Sequence, residues 1–376
     1  MFPLFLAYTA AILEKNDFNV KVIDAVPLNI HEDELVCRIE KIDPDFILFE
    51  PNAAIFNELM HFMKKVRLVT HSKFILVGSH ITATVREFFE SNPIIDFAIQ
   101  GEFEFAVSEF LMAVKNQTSY SSVEGLVYRN QDNSVIFNNR TNPIEPLDNL
   151  PMPARHLFPA FFNTDMSVYN DGFCQHQPAF HMHTSRGCSF HCNFCDRVQV
   201  LFGGARQRFF STERILNEMN VLKDAGAKEI YIDDDNFTSN VKHVESLCDE
   251  ISKRKLKIPW SAMCDAISLT ELQLKKMSES GCVGIKFGLD SADTNVLNAI
   301  RKPLKLEKLE AVIACAKKLH IKTHMSVVFG LSGETKESLH NTFRYACLMD
   351  VDSVQFSLAT PLPGTRFYND LKEQDL

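Results

Sequence analysis

The chain has 376 residues, 45% of them hydrophobic and 23% charged, enough to bury a large core and to form about two domains. A formal net charge of −9 speaks against nucleic acid as a partner, because binding a phosphate backbone needs a basic face. Ten cysteines spread over this length point to a reducing compartment and not to a disulfide framework. Cys37, Cys248, Cys282, Cys315 and Cys347 lie in apolar periodic contexts that suit small core residues.

Met1 to Leu13 is uncharged and apolar, but it lacks a basic n-region, runs straight into Glu14-Lys15, and is too short to span a bilayer. It reads as a buried helix of a cytoplasmic protein with no transmembrane segment. Strand-like runs follow at Val20–Ala25, Phe46–Glu50, Phe74–Gly78 and Asp96–Gln100, with helical periodicity near 33–41, 55–69, 83–91 and 103–115. This alternation predicts an α/β domain, doubly wound in the Rossmann or flavodoxin manner around a parallel sheet. Two further runs, Gly125–Arg129 and Ser134–Asn138, flank the polar turn Asn130-Gln131-Asp132-Asn133 and read as an appended hairpin. Pro143, Pro146, Pro151, Pro153 and Pro159 then discourage regular structure. Residues 143–179 are therefore the expected linker between a domain at 1–142 and one at 180–376.

The second domain carries strand-like runs at Phe180–Ser185, Glu229–Asp233, Trp260–Cys264, Gly284–Leu289, Thr323–Phe329 and Ser353–Ala359, with helices between them. Six such units predict a partial (β/α)6 barrel of TIM type, whose chemistry gathers at the C-terminal ends of the strands. Polar residues fall at those ends. Asp233-Asp234-Asp235-Asn236-Phe237 follows the second strand, Asp290-Ser291 the fourth, and Gly330-Leu331-Ser332-Gly333-Glu334 the fifth.

After the first strand comes Thr184-Ser185-Arg186-Gly187-Cys188-Ser189-Phe190-His191-Cys192-Asn193-Phe194-Cys195. Three thiolates in the pattern Cys188-x3-Cys192-x2-Cys195 can hold three irons of a [4Fe–4S] cube, whereas an electron-transfer cluster of that type takes four cysteines. Three leave one iron open, and an open position separates a metal that reacts from one that only holds structure. A structural zinc with Cys174, His183 or His191 as fourth ligand is the alternative, although zinc ligands usually come as two well-separated pairs. His181, His183 and His191 otherwise read as core or rim residues, and no residue is marked as the acid or base acting on substrate.

The cysteine run resembles the signature of the radical S-adenosylmethionine (SAM) superfamily, in which a reduced cluster cleaves SAM and a 5′-deoxyadenosyl radical removes hydrogen from substrate. The resemblance implies that Phe194 borders the adenine and that Asp234 and Asp235, matching an Asp-Asp-x-Phe pattern, accept charge-assisted hydrogen bonds from the SAM ammonium. Asp290 and Ser291 stand where the family has a Glu-Ser pair near the ribose. Gly330 and Gly333 permit close backbone approach at the next strand end, with Ser332 in place of the family's usual proline.

Pro3-Leu4-Phe5-Leu6-Ala7-Tyr8, Gly78-Ser79-His80, Gly101-Glu102 and Leu150-Pro151-Met152-Pro153-Ala154-Arg155 resemble the cobalamin-binding domain that precedes the radical barrel in one large branch of the superfamily. Loops after strand C-termini bind ligand in such sheets, so Ser79, His80, Gly101 and Glu102 become the expected corrin-lining residues. The chain has no Asp-x-His-x-x-Gly motif to mark a lower axial histidine. It also starts with a helix where the branch starts with a strand, so a truncated or variant chain is expected, with a sheet lacking its usual first strand and leaving backbone groups unpaired. The resemblance implies a [4Fe–4S] cluster, SAM and cobalamin as cofactors. It further implies an external electron donor of flavodoxin or ferredoxin type, a small-molecule or lipid-like substrate, and radical methyl transfer to an unactivated carbon. Cyclisation or rearrangement without methyl transfer is a second enzymatic reading, and a non-catalytic iron–sulfur or zinc module a third.

Overall fold

The computed structural model describes residues 2–25, 27–158, 169, 172–204 and 206–374. Pro159 and much of the later part of the expected linker lie outside these residues, as does Leu376. Helix α1 (Leu4–Lys15) opens the chain. Leu4, Ala7, Tyr8 and Ile12 join the core under the second sheet, while Phe5 joins the core of the first. A helix that is apolar all round must be buried on every side, which accounts for the absence of charge from Phe2 to Leu13.

The first sheet has the order β1 (Phe46–Phe49), β2 (Lys73–Leu76), β3 (Phe97–Ile99), β4 (Leu126–Arg129), β5 (Val135–Phe137). Its first three strands are parallel and the last two antiparallel. Successive strand residues face opposite ways, so Phe74, Leu76, Ala98 and Val127 meet α2 (Glu32–Ile42), α3 (Phe56–Val66) and α4 (Ser79–Phe88) on one face. Ile75, Ile99, Leu126 and Tyr128 meet α1 and α5 (Glu104–Lys115) on the other.

The run Val20–Ala25 is a correction, because it forms no strand. Val22 and Ile23 pack against two different cores, but no strand among the described residues pairs with their backbone. In a doubly wound sheet that segment would pair with a strand lying between it and β1, and the chain places helix α1 before it instead. β1 is therefore an edge strand, half-buried along its whole length.

In the second domain β6 (Ala179–Met182) leads into a short antiparallel ribbon, β7 (Ser185–Arg186) with β8 (Arg208–Phe209). The strands β9 (Glu229–Ile232), β10 (Trp260–Met263), β11 (Cys282–Asp290), β12 (Lys322–Phe329) and β13 (Ser353–Leu358) follow. They form one parallel sheet in the order β6-β9-β10-β11-β12-β13. Outward-facing Phe180, Ile230, Ala262, Phe287 and Met325 are buried under the intervening helices. Those helices start where side chains can receive orphan N–H groups. Ser211 and Asn240 cap Thr212–Asp224 and Val241–Lys253, and Thr270 and Thr335 form capping boxes for Glu271–Glu279 and Lys336–Leu348. Phe173 fills the inner side, close enough that a Cβ on Gly284 would lie 2.8 Å from its ring.

No disulfide joins any two of the ten cysteines. Cys248 and Cys282 are buried as expected, whereas Cys37 and Cys347 are exposed, because their helices present those positions outward. No helix among the described residues is long and apolar enough to cross a membrane.

The segment before Phe158 is tied to helix α1 and to the second domain. Ala154 N donates to Ala7 O at 2.9 Å, and the buried Arg155 guanidinium donates to His181 O at 2.7 Å and to Glu218 at 2.6 Å. Removing one partner of a buried pair strands the other, so Arg155→Ala is expected to cost about 3–5 kcal/mol, measurable as a lowered urea midpoint.

Candidate active site

The cysteine loop is clamped from several strand ends. Asp234, at the end of β9, accepts from Thr184 N at 2.6 Å and Ser185 N at 3.0 Å through one oxygen. Its other oxygen accepts from the Thr184 and Ser185 hydroxyls at 2.6 and 2.7 Å. Asp235 accepts from Gly187 N at 2.8 Å and lies 3.8 Å from Arg197 Nε. Asn236 Nδ2 and Phe190 N approach Cys188 Sγ at 3.5 Å. Beyond the last cysteine, Gln199 sits in a π-helical turn, Arg197–Leu201, and donates to Cys192 O and Cys195 O at 2.7 and 3.1 Å. Asn193 N donates to Ile300 O at 3.0 Å, and its side chain to Ser332 Oγ at 3.0 Å.

Burial raises all three thiols, Cys192 to about 11 and Cys195 to about 12, with Cys188 moved in the same direction. Thiolate is the ligating form, so cationic iron must displace these protons as it binds. Among the described residues no three His, Cys, Asp or Glu side chains converge on one point as a single ion would need. A cube asks for something else, one cysteine to each of three irons, and three thiols on one anchored loop fit it. The fourth zinc ligands considered above do not join them. Cys174 packs with Ala179 and Tyr231 inside the barrel, His191 is exposed, and His183 is buried against Phe5.

The carboxylates expected at SAM have partners within the protein. Asp234 is 3% exposed and accepts from four donors of the cysteine loop. Asp235 has one oxygen on the Gly187 backbone and the other 3.8 Å from Arg197 Nε. Asp290 has φ +60° and pairs through one oxygen with Lys302, whose Nζ also donates to Gly288 O at 2.7 Å. Ser291 is buried, 3.2 Å from Thr342 Oγ1, and accepts from Asp293 N at 3.1 Å. Phe194 lies half-buried on the barrel core. Gly330 has φ +85° and Gly333 φ +79°. Beside Gly330 nothing comes closer than 3.9 Å to the place of a Cβ, which leaves its backbone approachable.

On the other side of the loop, a cavity of about 240 Å³ lies between the two domains. Glu50, Ser79 and His80 reach it from the ends of β1 and β2, and Asp196 and Arg197 from the turn after Cys195. Gly78, at φ +97°, is required here, since a Cβ would stand 2.9 Å from Glu50 Cγ. His80 Nδ1 is buried without a hydrogen-bond partner, and burial lowers the ring's pKa, so it offers a neutral imidazole. Such unsatisfied polar atoms fit a ligand carrying amide groups, as cobalamin does.

Gly101 and Glu102, expected to line the corrin, are not among the residues lining this cavity. A Cβ on Gly101 would fall 2.1 Å from Thr141 Oγ1, so that glycine serves chain packing. Glu102 is buried at 3% exposure and binds Arg186 at 3.0 Å and Arg208 at 2.6 Å. Sequence reasoning passed over Glu50, Arg197 and Gln199. The available signals were a carboxylate directly after the apolar run Phe46–Phe49 and polar side chains directly after the last cysteine.

Two outcomes are expected. Asp234→Asn weakens charge-assisted hydrogen bonds and should cost about 1–3 kcal/mol, with less iron bound per chain after anaerobic reconstitution, read by denaturation and metal analysis. His183 is pushed down from 6.5 to about 3 by burial, so the unfolded chain takes up the proton first. Stability should therefore fall as pH drops from about 6.5 toward 3, by up to about 1.4 kcal/mol per pH unit. His183→Gln should flatten that slope in pH-dependent unfolding.

Residues 182–346 match the model of the radical SAM superfamily, and residues 1–111 match that of the B12 binding domain. A Pyrococcus horikoshii protein, named an uncharacterized methyltransferase, is 30% identical over 97% of this chain and 77% of its own length. The cytidylyl-2-hydroxyethylphosphonate methyltransferase of Streptomyces wedmorensis is 24% identical over 99% of this chain and 78% of its own. The solved structure of the radical SAM methyltransferase TsrM from Kitasatospora setae, with tryptophan and a SAM analogue bound, superposes with a TM-score of 0.81 at 17% identity, covering all of this chain and 73% of that one. The chain belongs to the radical SAM superfamily, in the branch with an N-terminal B12-binding domain, a class of enzymes that works with a [4Fe–4S] cluster, SAM and cobalamin.

Proposed function

We propose that this enzyme transfers a methyl group to an unactivated carbon of a small-molecule or lipid-like substrate. One observation carries the reading: the loop bearing Cys188, Cys192 and Cys195 continues directly into the turn whose Asp196 and Arg197 wall the cavity facing the first domain. The two cofactor sites thus share a single stretch of chain. The named methyltransferase relatives support the same reaction.

When bound, the cluster with SAM supplies a radical that removes hydrogen, and cobalamin supplies a methyl group. The chain's own residues position and shield. Cys188, Cys192 and Cys195 would hold three irons, with Asp234, Asp235, Asn193 and Gln199 fixing the loop that presents them. The open backbone at Gly330 lets SAM approach, and Glu50, Ser79, His80 and Arg197 would meet the corrin. Residues 1–142 form the cobalamin domain in this proposal, 143–179 the linker, and 180–376 the radical barrel. A cytoplasmic setting and an electron donor of flavodoxin or ferredoxin type complete it.

The test is anaerobic reconstitution with iron and sulfide, followed by assay for 5′-deoxyadenosine and S-adenosylhomocysteine with and without cobalamin. Wild type should form both products, the second only when cobalamin is present. Alanine at Cys188, Cys192 or Cys195 should abolish cluster and cleavage together. 5′-Deoxyadenosine without any S-adenosylhomocysteine would move the enzyme to cyclisation or rearrangement. A tetrahedral zinc in the reconstituted protein would overturn the radical reading.

A further inference from the structure

The interdomain cavity contains an acid that no other group among the described residues binds. Glu50 follows β1 directly and lines the cavity, with its side chain laid across Gly78. Among the described residues no hydrogen bond or ion pair engages its carboxyl, unlike Glu102, Asp234 and Asp235, each of which is held by partners. Burial pushes the group up to about 7, with Arg197 and Arg186 pulling it down and Glu104 pushing it further up. The same cavity presents the Arg197 guanidinium from the cluster side and the unpartnered His80 Nδ1 from the start of α4.

Size limits what these groups can meet. About 240 Å³ is below the usual range for a whole ligand pocket and suits side groups on the rim of a macrocycle, not the ring itself. The corrin rim bears amide side chains, each with N–H donors and a carbonyl acceptor. The Glu50 carboxyl can accept from the N–H groups, and the Arg197 guanidinium lining the same cavity can donate to the carbonyl in a charge-assisted bond.

We propose that Glu50 is a corrin-rim residue, its carboxyl accepting hydrogen bonds from peripheral amide N–H groups while Arg197 in the same cavity donates to an amide carbonyl. This rests on the reading of the first domain as cobalamin-binding. Glu50 then selects for the amidated rim, because a corrin whose amides are hydrolysed to carboxylates brings no N–H donor to its oxygens. Gly78 becomes part of the site by leaving room for the Glu50 side chain.

The test is equilibrium binding of hydroxocobalamin to the full chain, followed by cobalamin absorbance, for wild type, Glu50→Ala and the isosteric Glu50→Gln, with iron content as a control on the fold. Glu50→Ala should weaken binding about tenfold, equivalent to about 1.4 kcal/mol, at unchanged iron content. Glu50→Gln, which keeps an acceptor oxygen, should fall between. Wild type should also bind hydroxocobalamin more tightly than its monocarboxylate derivatives, with that preference reduced in Glu50→Gln. Equal affinities for wild type and both variants would overturn the assignment of Glu50. Failure of wild type itself to bind hydroxocobalamin would overturn the cobalamin reading beneath it.

Discussion

A buried quartet of charges fixes the geometry on which both cofactor sites depend. Arg186 stands two residues before Cys188, with its side chain 1% exposed, and reaches Glu102 at 3.0 Å and Glu104 at 2.6 Å. Arg208, its partner across the β7–β8 ribbon, binds the other oxygen of Glu102 at 2.6 Å and Ile144 O at 2.8 Å. Two acids and two bases balance, but taking four ions out of water costs about what their attraction returns. Such a group contributes less to stability than to position. Glu102 and Glu104 belong to the loop and helix after β3, and the arginines to the ribbon that carries the cysteine loop, so the quartet sets where the cluster stands relative to the first sheet. The two arginines hold Glu102 below the usual carboxylate range despite its burial.

The acidic run after β9 follows from the same requirement. The segment that leads into the three cysteines pairs with a strand on one side only, through the short β7–β8 ribbon. Asp234 and Asp235 supply acceptors for Thr184, Ser185 and Gly187, doing for the loop what a neighbouring strand does for a sheet. Burial pushes Asp234 up to about 6 while its four donors pull it down, so it remains largely ionised at neutral pH and its bonds are charge-assisted. Lys302 plays a matching part from the opposite side, pairing with Asp290 and lying close enough to Cys192 to lower that thiol's pKa against the effect of burial.

Helix α1 joins these parts. It packs against α5 and the first sheet on one side and reaches the barrel core on the other. Phe5 lies 4.6 Å from the Arg186 guanidinium and 5.5 Å from His183, covering the quartet with an aromatic face that keeps water out of it. The cavity at the domain junction is therefore framed by rigid pieces: strand ends, an anchored loop and a buried helix.

Much of this was legible in the chain. Alternating strand and helix periodicity gave both α/β domains and all six barrel strands, because period-2 and period-3.6 patterns are local consequences of backbone geometry. Cysteine spacing singled out one loop because three cysteines close in sequence can be presented together by a single turn of chain. The failures are equally physical. Val20–Ala25 has the composition of a strand, but a strand needs a neighbour to receive its hydrogen bonds, and pairing is a tertiary fact. Asp234, Asp235, Asp290 and Glu102 all look like free acids in the sequence. Only folding brings Thr184, Gly187, Lys302 and Arg186 against them, across 12 to 84 positions of chain, and so decides which acids are structural. By the same rule it leaves Glu50 open to the cavity, a distinction among carboxylates that composition and spacing do not contain.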